Sequence, residues 1–132
     1  MIRILLAASC LWTASAGVAS AQSVPVMVGG EAEWDACGGV GRVVNLDPKG
    51  DNFLSMRAGP GGKHREVIRL GPHERYLYMC DERGSWIGIV LGGGAAGRSG
   101  CGVMEPIERR QAYRGPCMSG WVHRRYVELY AG

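Results

Sequence analysis

Apolar and polar residues along this chain alternate in short runs, and glycine or proline cuts off every stretch that begins to show a helical period. Leu54, Ser55, Met56 and Arg57 alternate with the period of a strand that buries one face. The run then stops at Ala58-Gly59-Pro60-Gly61-Gly62, where one φ is fixed by Pro60 and three glycines permit positive φ. A strand running into a tight loop is the expectation. Residues 42–46 read as a preceding strand, joined to Phe53 through Asp47-Pro48-Lys49-Gly50, which has the residues of a type I turn. Residues 66–70 and 75–81 read as the next two strands. In the second of these, Tyr76, Tyr78 and Cys80 share one face while Leu77 and Met79 share the other, so both faces are largely apolar. One face suits the core; the other lies under the stretch 92–118 or forms a binding surface. Strands beginning near Trp86 and Gly120 complete the pattern, with helix confined to single turns such as 124–126. The class is all-β.

The amino-terminal pattern differs. Arg3, an apolar stretch from Ile4 to Trp12 and the small-x-small run Ala19-Ser20-Ala21 read as a cleavable export signal, too short to cross a bilayer. Cleavage after Ala21 removes 21 of the 132 residues and leaves 111, enough for one domain with a modest core. No later apolar run reaches membrane-spanning length, so no stable membrane insertion is expected. Four cysteines then remain, Cys37, Cys80, Cys101 and Cys117, and an even count in an exported chain points to two disulfides. Three pairings are possible. A Cys101–Cys117 bond would staple the otherwise poorly supported stretch 92–118 for ~3 kcal/mol, leaving Cys37 for Cys80. Residues 22–41 read as an extended leader anchored by Trp34 and Cys37.

Several further motifs match a known pattern in order. Leu54, Met56, Arg57, Gly59, Pro60 and Gly61, then Val67-Ile68, then Gly84-Ser85-Trp86, then Gly120-Trp121-Val122 with Tyr126-Val127, resemble the bacterial SH3-like (SH3b) domain family over residues 43–130. That resemblance implies a small SH3-like barrel of five to seven short strands over 42–132, with 92–118 as a disulfide-tied insertion. It also implies a noncatalytic module, since such domains commonly accompany cell-wall hydrolases and the chain has no room for a hydrolase domain.

Composition narrows the chemistry. The formal charge of +3 is too small to imply nucleic-acid binding, and it falls to +2 when Arg3 leaves. Basic charge is almost all arginine, which favours planar anions, although a solvated face is the preferred explanation of it. There is no C-x-x-C and no paired histidine at ligand spacing, so neither a metal nor another cofactor is expected. Gly92–Ser99 echoes a phosphate loop, but Arg98 stands in the lysine position and glycines and Pro106 follow instead of a helix. Asp81 and Glu82 project to opposite faces of a strand and no nucleophile elbow is present. Trp86, Trp121, Tyr78 and Tyr126, flanked by Arg57 and Arg124, form the candidate binding groove, with Trp121 and one tyrosine also suited to the core. The expected partner of this periplasmic or secreted, monomeric product is peptidoglycan peptide or an envelope protein. Alternatives are an accessory subunit or inhibitor acting through the insertion, and a small enzyme built on His123.

Overall fold

The structure, a computed structural model, describes residues 11, 12, 14, 22–93 and 99–132. The export signal, its cleavage site and the glycine-rich echo of a phosphate loop through Arg98 lie almost entirely outside the described residues. The described chain is all-β. Its strands are β1 (Met27–Val28), β2 (Gly39–Val43), β3 (Leu54–Arg57), β4 (Glu66–Leu70), β5 (Leu77–Arg83), β6 (Trp86–Leu91), β7 (Gln111–Ala112), β8 (Ser119–His123) and β9 (Val127–Ala131). Two 3₁₀ turns, Ser99–Cys101 and Arg124–Tyr126, supply the helix; the second is the single turn expected between the last strands.

Seven strands pair in the order β4-β3-β8-β6-β5-β2-β9, each contact antiparallel. This ladder is open, with β4 and β9 as its edges. It nevertheless curls, because Leu70 of β4, Leu54 and Met56 of β3, Ile87 and Ile89 of β6 and Val122 of β8 meet in one apolar cluster that Val127 of β9 also packs against. The curl follows from the alternation: Leu54 and Met56 are buried, while Ser55 and Arg57 turn outward.

Both faces of β5 and β6 are covered, the first of the two outcomes open to the apolar faces of that stretch. Leu77 and Ile89 face the first cluster, whereas Tyr78 and Val90 enter a second one with Val28, Cys37, Cys101 and Val103. The leader and the insertion build this second layer together. β1 pairs with β7, Glu31 bridges to Ile107, and the Ala36 and Gly30 amides donate to the Glu105 and Ile107 carbonyls at 2.9 Å. Disulfides Cys37–Cys80 and Cys101–Cys117 fasten the layer to β5 and close the insertion on itself. Asp81, buried at the irregularity in the β5–β6 ladder, ties it further: its carboxylate accepts the Met27 amide at 3.1 Å, the Glu82 amide at 2.9 Å and Arg110 at 2.8 Å.

Four local expectations need correction. The first strand of the large sheet is Gly39–Val43 rather than 42–46. Asn45, in the left-handed region at φ 61°, breaks the extended run before 46, while at Gly41 a Cβ would stand 2.5 Å from Val127 Cγ1, so glycine lets β9 approach β2 there. Trp34 does not anchor the leader, being largely exposed; Cys37 does. In the Gly-Pro-Gly loop none of the three glycines adopts positive φ. Gly59 is required for space instead, because the His64 ring occupies the position of its missing side chain. Finally, β5 continues through Arg83 to a two-residue Gly84-Ser85 hairpin, with Gly84 at φ +58° and Arg83 opposite Trp86.

Candidate functional site

On the outer side of β3 and β4 lies an open groove of about 1020 Å³. Strand alternation supplies its floor. Ser55 pairs with Arg69 and Arg57 with Glu66 on the face opposite the first cluster, so all four side chains point outward. One wall is aromatic. Trp86 opens β6 directly opposite His123 at the end of β8, their rings edge to face with centroids 5.4 Å apart. Tyr126, from the following 3₁₀ turn, meets the same His123 ring at 6.2 Å. His123 Nδ1 accepts the Arg125 amide at 3.2 Å, which caps that turn and sets the imidazole's orientation. The opposite rim is the Asp47–Gly50 turn, closed by the Gly50 amide on the Asp47 carbonyl at 3.1 Å and by the Lys49 amide on the Asp47 carboxylate at 2.9 Å.

Charges of both signs line this space and several are held in place. Glu66 accepts Ser55 Oγ at 2.7 Å and Arg69 Nε at 2.7 Å. The serine hydrogen bond first, and the arginine second, hold its carboxyl below the ordinary value of 4.5. Arg69 also lies 4.2 Å above the Phe53 ring, which fixes the guanidinium from the other side. Arg57 donates to the His64 carbonyl at 3.0 Å, and Asn45, at φ 61°, donates to the Arg125 carbonyl at 2.9 Å. Asp47, Asp51 and Glu66 thus balance Arg57, Arg69 and Arg125 around one aromatic wall. Such a surface can hold a short ligand bearing both an amine and a carboxylate, with apolar contact between them.

Of the six residues expected at a groove, Arg57, Trp86 and Tyr126 line this one. Trp121 and Tyr78 do not. Trp121 is 0% exposed beneath the leader, and its indole N–H donates to the Val24 carbonyl at 2.8 Å. Tyr78 is buried in the second cluster with its hydroxyl donating to Met104 Sδ at 3.4 Å. Arg124 turns away to Glu82 at 3.2 Å, and its neighbour Arg125 lines the groove instead. His123, the candidate catalytic residue, stands in the aromatic wall. Among the described residues no three His, Cys, Asp or Glu side chains are grouped to hold a metal ion.

Sequence reasoning missed Phe53, Glu66 and Arg69 as groove residues. The outward alternation of 55, 57 and 69 was there to be read, but their partnership across β3 and β4 depends on the register. Compared with protein-family models, curated proteins and solved structures, the chain matches none.

Proposed function

We propose that this chain is an exported, noncatalytic SH3-like domain, its curled sheet serving as a small barrel, that binds the stem peptide of peptidoglycan in the bacterial envelope. The observation that carries this reading is the Trp86–His123–Tyr126 wall facing immobilised charges of both signs across one open groove. A stem peptide presents both carboxylates and a free amine on a short apolar backbone, and fixed partners such as the Glu66–Arg69 pair recognise such groups without first having to be ordered. Two disulfides suit an oxidising compartment, and no described helix is long and apolar enough to cross a membrane.

The test is cosedimentation of the oxidised protein with purified sacculi. Retention is expected, with at least a tenfold loss when Trp86→Ala and Tyr126→Ala are combined and after an amidase has stripped the stem peptides from the glycan. Equal retention on stripped glycan, or none on intact sacculi, would refute the peptide ligand; capture of an envelope protein instead would point to the other partner class.

A further inference from the structure

On the opposite side of the molecule from the first cluster, a second groove of about 480 Å³ has a different character. Its floor is Val40, Tyr78 and Val103, with Tyr78 and Val103 buried in the second cluster and Cys37, disulfide-bonded to Cys80, also lining the groove. Its sides are two large apolar groups facing solvent: Trp34 is 71% exposed and Met104 is 47% exposed. The Tyr78 hydroxyl bonds to the Met104 thioether at 3.4 Å and holds it beside the floor. An exposed tryptophan and methionine over a fixed apolar floor are the anchors of a protein interaction surface.

Charge identifies the occupant. Glu33 and Asp35, on either side of Trp34, are the charged residues that line this groove, with no basic side chain among the lining residues. The chain as a whole carries +3, so this acidity is concentrated against the protein's own balance. Tryptophan is also the aromatic ring that best attracts a cation, and two carboxylates beside it deepen that attraction. The far rim, Ala131 and Gly132, continues the edge strand β9, whose outer side pairs with no strand among the described residues.

We propose that this groove docks a short extended segment of another protein in which every second residue, the set turned towards the groove, is by turns apolar and Lys or Arg. The apolar side chains enter over Tyr78 and Met104, the cationic ones meet Trp34, Glu33 and Asp35, and the backbone lies along the end of β9. This site is separate from the aromatic groove and does not depend on what that groove binds.

Titration of the oxidised full chain with an acetylated, amidated Leu-Ser-Lys-Ser-Leu-Ser-Lys-Ser octapeptide (Leu-Lys), which turns Leu and Lys to one face when extended, tests it, with peptides carrying Glu for Lys (Leu-Glu) or Ser for Leu (Ser-Lys) as comparisons. The Leu-Lys peptide is expected to bind at least tenfold tighter than either. Trp34→Ala should weaken it at least tenfold, and the Glu33→Gln/Asp35→Asn pair should both weaken it and flatten its dependence on salt. Trp34 is exposed enough that its loss leaves the fold intact, and the charge-removing pair is an independent variant. No binding, equal binding of the Leu-Glu peptide, or binding indifferent to both variants would overturn the proposal. So would a Trp34-dependent dimer in sedimentation, which would give the groove to a second copy of this chain.

Discussion

Replacing Asp81 by Asn removes one charge and almost no volume, yet it strikes the point where leader, insertion and sheet are joined. The side chain of Asp81 is 3% exposed and accepts from three donors. One carboxylate oxygen takes the Glu82 amide and Arg110; the other takes the Met27 amide. An asparagine can keep its oxygen towards the first two, but its NH₂ then confronts the Met27 N–H, donor against donor. A charge-assisted hydrogen bond contributes about 1.5–3 kcal/mol and an unsatisfied buried donor costs about 1–3 kcal/mol. Arg110 is 51% exposed, so the ion pair itself adds little beyond its hydrogen bond. The expected loss is about 2–4 kcal/mol, read from urea denaturation of the oxidised protein as a lower midpoint with an unchanged slope. Amide exchange should localise it, with Met27 losing protection before Ile87 and Ile89 of the first cluster. A loss below about 0.5 kcal/mol, the range of ordinary surface substitutions, would show that the carboxylate is not the tie described here.

Trp121→Phe keeps most of the buried ring but strands the Val24 carbonyl, and should cost about 1–3 kcal/mol, against about 3–5 kcal/mol for Trp121→Ala; thermal denaturation of the two variants compares them. Removing the Cys101–Cys117 bond, which spans 16 residues, by a double alanine substitution should lower stability by about 3 kcal/mol, and removing Cys37–Cys80, which spans 43, by about 4 kcal/mol, both measured by chemical denaturation. Glu66 has its folded-state pKa lowered below 4.5, so the stability it contributes is present above the unfolded value and is lost as pH falls through the folded one. Side-chain NMR titration should show that lowered value, and Ser55→Ala should bring it back up by removing the larger cause; an unmoved titration would assign the shift elsewhere.

Local chemistry made much of this protein legible from its residues. Alternation at 54–57 reports which side chains are buried because successive strand residues must face opposite ways. The Asp47–Gly50 turn forms from hydrogen bonds between near neighbours, and the 3₁₀ turn at Arg124–Tyr126 has a local cap in His123, although Ser85, Val44 and Asn45 also bond to it from other elements. The two apolar faces of β5 left a choice between a covering layer and a binding surface, which the structure resolves with a second cluster over the sheet. Other outcomes rested on distance in space. Trp86 and Trp121 each follow a glycine or serine at the start of a similar strand pattern, yet one walls the groove and the other is sealed under Val24. The sequence suited Trp121 to the core as well as to the groove but could not choose, since burial is decided by which segment crosses above. The need for glycine at 41 likewise comes from Val127, a group placed by the remote pairing of β2 with β9, whereas the need at 59 comes from His64, five residues on in the same loop. Only the register of β3 against β4 brings Glu66 to Ser55, and only the docking of leader against insertion leaves Trp34 standing free beside Met104. Sequence period determined the faces; chain crossings, held by ladders, disulfides and the Asp81 carboxylate, decided which faces meet.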